Sequence, residues 1–227
     1  MGQRLALETG DDLRKVALHD YQLACISREA SLLGRKEVLT GKAKFGIFGD
    51  GKEVAQLALA RQFKPGDFRS GYYRDQTLMM AVGLLSVQEY FAQLYADTDA
   101  AREPMTAGRQ MNGHFGSATV GPDGEFLNLT KQPNSSIDLS PTASQMPRLL
   151  GLAHASKHYR ALGKWMKKKG FKTKAFSHGG DEVAFGTIGD ASTSEGMFWE
   201  TMNAAAVLEV PLCMSAVSYT HLTLPTN

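Results

Sequence analysis

The stretch from Val183 to Leu212 constrains this chain most. It begins with a short apolar run, Val183 to Ile188, whose β-branched residues suit a buried parallel strand. Gly189-Asp190 breaks the run. Ser192 followed by Glu195 has capping-box spacing and predicts the start of a helix. From Met197 to Leu208 apolar residues recur at helical spacing, with alanines that let a helix lie close on a sheet. Val210 to Met214 then reads as the next strand. Strand, turn, helix and strand form a βαβ unit, so the expected class is α/β, a parallel sheet flanked by helices.

In such a sheet ligands gather at the carboxyl ends of the strands, which is where Asp190 falls. The N–H groups that open the following helix would point to the same place and suit a phosphate. A carboxylate beside a phosphate usually takes a cation between them, magnesium being the ordinary choice. The other reading is a plain βα turn with a helix-capping acid, since Gly-Asp turns are common.

The rest of the chain supplies mostly helices before this unit. Thr9 with Asp12 fits a capping box for a helix to about Leu33, with Gly34 as its stop. Residues Gly41 to Gly51 form a loop or two short extended pieces, and Glu53 to Phe63 a helix closed by Lys64-Pro65-Gly66-Asp67. Asp67 to Tyr73 runs extended, Asp75 to Leu84 is helical, and Ser86 with Glu89 opens a helix to Ala96. Arg102 to Ser140 has no sustained period, five glycines (Gly108, Gly113, Gly116, Gly121, Gly124) and little to build a core, which points to a functional or mobile loop. Thr142 to Leu162 is helical again. The six lysines from Lys164 to Lys174 read as a solvated helix end or, with less support, a nucleic-acid patch.

With 227 residues, 43% hydrophobic and 21% charged, the chain has room for one sizeable domain of ordinary globular composition. A net charge of +2 gives no electrostatic reason to expect nucleic acid or membrane partners. No secretory signal or membrane-length apolar run is visible, and a cytoplasmic location is expected. Cys25 and Cys213 lie in apolar patterns and read as buried thiols of a reducing compartment. His154 and His158, four apart on a helix, could face one way, but two ligands make a poor metal site. His19 and His178 have no companions, and His221 lies near the C-terminus.

The run Gly189-Asp190-Ala191-Ser192-Thr193-Ser194-Glu195-Gly196-Met197-Phe198-Trp199 and its continuation to Pro211 resembles the thiamine-diphosphate motif of the 2-oxo acid dehydrogenases. More closely, it resembles the alpha part of their decarboxylating component. The resemblance runs from about Tyr21 to Ser215 and implies a thiamine-diphosphate-binding fold. Tyr73-Arg74 is similar to the pair that holds the cofactor diphosphate, and a guanidinium fork with a phenol suits phosphate; a surface arginine beside a half-buried tyrosine is the alternative. Gly108-Arg109-Gln110-Met111-Asn112-Gly113-His114-Phe115-Gly116 resembles the glycine-rich active-site loop of the branched-chain type. His114 could orient or protonate substrate groups as a catalytic residue, or only hydrogen-bond to the loop backbone.

Ser140-Pro141-Thr142-Ala143-Ser144-Gln145 resembles the segment that meets the aminopyrimidine, where Ser140 and Thr142 would be contacts. Thr142 stands where the family carries a bulky apolar prop. The same segment reads equally as a Pro-initiated helix start, and Ser144 and Gln145 are candidates for a monovalent cation. Gly189, Asp190 and Ala191 carry over as cofactor contacts and Asp190 as a magnesium ligand, with Ala191 where the family often has Gly. The second magnesium ligand would fall near Tyr219, where no carboxylate or amide stands, so an incomplete metal site is expected. Residues 216–227 depart from the resemblance and read as linker or read-through. The expected organisation is an alpha-type domain over 1–215, C-terminally truncated, and an anomalous tail over 216–227.

What the resemblance implies is oxidative decarboxylation of a 2-oxo acid, of branched-chain type, with acyl transfer to lipoamide. Its cofactors would be thiamine diphosphate and magnesium (Mg2+). Its partners would be a beta-type part, separate or fused, that supplies the activating glutamate, and the lipoyl domain of the acyltransferase component. The chain alone is expected to be inactive. The competing readings are a binding module for another phosphorylated ligand and a non-catalytic fragment that aggregates through its unpaired sheet.

Overall fold

In this computed structural model, which describes residues 10–217, four short strands form one parallel sheet. They are β1 (Phe68–Ser70), β2 (Asn134–Ser135), β3 (Ala184–Gly189) and β4 (Leu212–Val217), in the order β2-β1-β3-β4. Ser70 pairs with Gly186, and β3 pairs with β4 from Ala184↔Leu212 to Gly189↔Val217. The βαβ unit is present as expected: β3 is buried along its whole length, and the connection to β4 is helix α6 (Gly196–Leu208). Strand pairing continues through Ala216 and Val217, two residues past Ser215.

Five further helices surround the sheet: α1 (Gly10–Leu39), α2 (Glu53–Ala60), α3 (Gln76–Ala81), α4 (Val87–Leu94) and α5 (Gln145–Lys168). Helix α5 lays Met146, Leu149 and Ala153 onto Ala184 and Ile188 of β3, and Phe198 of α6 closes that core. The approach is close enough to require a glycine, because a Cβ on Gly186 would stand 2.2 Å from Leu149 Cδ2. A second core gathers Ala30 of α1, Met79 and Met80 of α3, Leu85, Tyr90 of α4 and Phe115. Among the described residues no helix is long and apolar enough to cross a membrane.

The capping box of α4 forms as its sequence predicts: Ser86 Oγ accepts from Glu89 N, and Glu89 reaches back to Ser86 N. Several expectations are corrected. Gly34 does not stop α1, which runs on to Leu39; a Cβ there would lie 2.6 Å from the Phe48 ring, so the glycine serves packing inside a helix. The Ser192–Glu195 capping box does not form. Asp190 caps a 3-10 turn over Ala191–Ser194 instead, and α6 starts only at Gly196. Helix α5 starts at Gln145 rather than Thr142, after a turn in which Ala143 has φ +60°, and extends to Lys168. Cys25 is exposed and Cys213 half-buried, both as free thiols, so the expected pair of buried thiols is not found. Of the expected first capping box, Thr9 lies outside the described residues.

The segment from Arg102 to Ser140 is irregular, as expected, but it is not poor in buried residues. Phe115, Leu129, Glu103, Asn112, His114, Asn134 and Asp138 are all buried. Its backbone is held by side-chain amides and carboxylates, which is how an irregular segment satisfies buried polar groups.

Candidate cofactor-binding site

Because β1 and β3 are parallel neighbours, the residues just after them share one edge of the sheet. Tyr73 and Arg74 follow β1, and Asp190 follows β3. The start of α5 closes on the same edge: Gln145 Nε2 donates to Thr187 O at 3.1 Å, and Ser70 Oγ donates to Gln145 O at 3.0 Å. The loop carrying His114 arrives there too, since a Cβ on Gly113 would lie 2.8 Å from Tyr73 O. Gly113 has φ +81°, so its lack of a side chain meets both a steric and a conformational need.

Each expected residue can be placed. Arg74 is half-buried, its guanidinium 5.0 Å from the Tyr73 ring centroid, with Nε donating to Phe48 O at 3.3 Å. His114 is 4% exposed. Its Nδ1 lies 2.9 Å from Met111 O and its Nε2 2.9 Å from Ser140 Oγ. A carbonyl only accepts, so Nδ1 carries a proton, and in the neutral ring Nε2 accepts from the Ser140 hydroxyl. The loop-backbone contact and the second nitrogen's contact with Ser140 therefore coexist. Ser140 and Thr142 are exposed. Asp190 accepts from Ala191 N through Oδ1 at 2.8 Å, and its carbonyl accepts from Thr193 Oγ1 at 2.6 Å. Gly189 is buried at the end of β3 and Ala191 is exposed. Tyr73-Arg74, His114 with Ser140, and the start of α5 thus meet at one edge with Gly189 and Asp190.

A buried ionic network underlies this edge, and the sequence reading missed it. Arg69 of β1 is 1% exposed. Its Nε donates to Asp75 Oδ2 at 2.7 Å, and its two terminal nitrogens hold Asp138 at 3.0 and 2.9 Å. Asp138 Oδ2 then accepts from Phe115 N at 3.1 Å, beside His114. Burial works against the guanidinium charge, but Asp138 and Asp75 outweigh it and hold the Arg69 pKa above its ordinary value. Gln93 of α4 completes the support. Its Oε1 accepts from Gly113 N and its Nε2 donates to His114 O, both at 2.7 Å. Asn112 pairs its amide with Ile47 N and Ile47 O at 3.0 and 3.2 Å. Partners 69 positions apart, as Arg69 and Asp138 are, leave no local signal; Gln93 is a lone polar residue on an otherwise apolar helix face.

The donor types suit a diphosphate ligand: an arginine and a tyrosine follow β1, and a carboxylate follows its parallel neighbour β3. The Ser144 hydroxyl is buried there without a hydrogen-bond partner, an acceptor and donor still to be satisfied. Among the described residues no group of three His, Cys, Asp or Glu side chains is gathered for a metal. Magnesium on a phosphate needs only one or two protein carboxylates, which Asp190 can begin to supply. The position near Tyr219 lies outside the described residues.

Fold and site together define a parallel-sheet α/β protein with its candidate site residues following the ends of adjacent strands. Residues 21–218 match the family described as Dehydrogenase E1 component, and the chain belongs to it. It is 30% identical over 174 residues to the 2-oxoisovalerate dehydrogenase subunit alpha of Bacillus subtilis (strain 168), covering 76% of this chain and 42% of that protein. It is 27% identical over 172 residues to the mitochondrial 2-oxoisovalerate dehydrogenase subunit alpha 1 of Arabidopsis thaliana, covering 76% and 29%. A mitochondrial alpha subunit of Caenorhabditis elegans is 25% identical over 172 residues, covering 76% and 32%. The chain thus spans less than half the length of these relatives.

Proposed function

We propose that this chain is the diphosphate- and magnesium-binding half of a thiamine-diphosphate-dependent 2-oxo acid dehydrogenase of the branched-chain type. The observation that carries the reading is the meeting of Tyr73-Arg74, His114 with Ser140, and Asp190 at one edge of the sheet. The family and the names of the relatives support it.

Bound at this edge, thiamine diphosphate would supply the carbon nucleophile and electron sink that a 2-oxo acid needs to lose carbon dioxide. Arg74 and Tyr73 would anchor the diphosphate, Arg74 as a charge-assisted donor. Asp190 would be the carboxylate that holds magnesium. Gly189 and Ala191 would allow the backbone to approach, Ser140 and Thr142 would border the aminopyrimidine, and Ser144 with Gln145 would take a monovalent cation. His114 is the residue proposed to move a proton. With Nδ1–H fixed on Met111 O, the atom that can hold or release one is Nε2, and Ser140 Oγ is the group set against it.

A beta-type part would complete the site, and the lipoyl domain of the acyltransferase component would take the acyl group. The outward side chains of α6 support such a partner: Trp199 is 62% and Val207 74% exposed. Decarboxylation of 3-methyl-2-oxobutanoate tests the proposal. The reaction should need a beta-type part, and turnover by this chain alone, or failure of His114→Ala to slow the reconstituted enzyme, would overturn it.

A further inference from the structure

The far end of α5 carries a surface that the proposed reaction does not use. Lys164, Lys167, Lys168, Lys169, Lys172 and Lys174 fall there, and no acid occurs between Ala161 and Gly180. Several arginines elsewhere are matched: Arg28, Arg35, Arg61 and Arg102 each hold a carboxylate at 2.6–2.7 Å. Among the described residues none of the six lysines has an ion pair. The acids that follow are engaged, Asp181 with Arg160 at 3.8 Å and Glu182 with Ser177 Oγ at 2.7 Å. Six like charges on one short stretch repel one another, and an acidic partner would relieve that repulsion.

The same stretch opens an aromatic cleft. Trp165 stacks on Phe171 with ring centroids 6.1 Å apart, and Phe126 meets Phe176 edge-on at 5.2 Å. These two pairs line a cleft of ≈ 390 Å³. It shares Phe171 and Lys172 with a neighbouring hollow of ≈ 930 Å³. Phe126 is 65%, Phe171 59% and Trp165 52% exposed, so large aromatic surfaces face water in a cleft that Lys172 lines, beside a hollow that Lys131, Lys167 and Lys174 line.

We infer that this cleft docks an acidic protein segment that carries aromatic or large apolar side chains. Lys172 in the cleft and Lys167 and Lys174 in the adjoining hollow supply attraction and orientation, and the aromatic cleft supplies the buried anchor. Nucleic acid fits less well. Trp165 and Phe171 turn faces to each other instead of splaying to receive bases, and Arg160, the arginine nearest the lysines in sequence, donates to Gly180 O.

The test uses the full chain with Trp199→Phe, which leaves Trp165 as its one tryptophan, and a random glutamate–tyrosine copolymer as the probe. The copolymer should shift Trp165 emission saturably. Raising salt from about 0.05 to about 0.5 M should weaken binding about tenfold or more as the charges are screened. Lys167→Glu with Lys168→Glu and Lys172→Glu should weaken it to a similar degree, and so should Phe171→Ser alone. All four side chains lie at the surface, so circular dichroism should show the fold unchanged. No emission change overturns the inference. Equally tight binding of polyglutamate without tyrosine overturns the aromatic anchor, and tighter binding of single-stranded RNA overturns the choice of partner.

Discussion

Replacing Arg69 with methionine removes the cation at the centre of the site's foundation. The wild-type guanidinium reaches Asp75, Asp138, Ser135 Oγ and Tyr72 O, all within 3.0 Å, and is 1% exposed. Arg69→Met leaves two buried carboxylates without a counter-charge, a loss of about 3–5 kcal/mol. The pH dependence has a definite sign. Burial already holds the Asp138 carboxyl above its ordinary pKa against the pull of Arg69, and removing the guanidinium raises it further. A carboxylate shifted upward destabilises the fold above its folded pKa, and the penalty lifts as pH falls through it. The stability gap between wild type and Arg69→Met should therefore be widest at alkaline pH and narrow on acidification. Adding Asp75→Asn and Asp138→Asn should recover most of the loss. No buried charge then remains in this network, and the amide oxygen introduced at position 138 can still accept from Phe115 N. Urea unfolding at several pH values measures this. A gap under about 1 kcal/mol at the alkaline end, or one that widens on acidification, refutes the reasoning.

Other substitutions probe separate links. Gln93→Ala strips partners from Gly113 N–H and His114 C=O, and should cost about 2–4 kcal/mol in urea unfolding while loosening the His114 loop, seen as faster amide exchange there. Ser86→Ala should cost about 1 kcal/mol by loss of the α4 capping box, read in the same assay. Gly34→Ala should destabilise because its Cβ meets the Phe48 ring, whereas Gly163→Ala, with nothing within 4 Å, should stabilise by about 0.4–1 kcal/mol; thermal melts compare the two. Glu209→Gly relieves a left-handed residue at φ +46° after α6 and should stabilise by about 1 kcal/mol.

What was legible in the sequence is local. The β-branched run into Gly189, the Ala-rich α6 and the Ser86–Glu89 cap all signal within a few residues, and each forms. Gly34 was misread because a helix-interior glycine looks like a stop until the Phe48 ring is seen beside it. Ser192–Glu195 has the right spacing for a cap, but Asp190 accepts from Ala191 N first and winds a 3-10 turn. Cys25 follows an apolar pattern on a helix, α1, that also leaves Tyr21 70% and Leu18 57% exposed, so periodicity could not mark it as buried. At the site, the residues named by resemblance lie at the strand ends. The Arg69–Asp138 pair lay beyond reach because its members, 69 positions apart, meet only through the pairing of β1 with β2, and Gln93 because its partners lie in an irregular loop about twenty residues on.

The most direct measurement is a calorimetric titration of the purified chain with thiamine diphosphate in the presence and absence of magnesium. Saturable one-to-one binding is predicted, stronger with magnesium, and lost in Arg74→Ala and Asp190→Ala while circular dichroism shows both variants folded. Binding untouched by either substitution, or equal preference for an unrelated nucleotide diphosphate, would contradict the placement of the cofactor at this edge of the sheet.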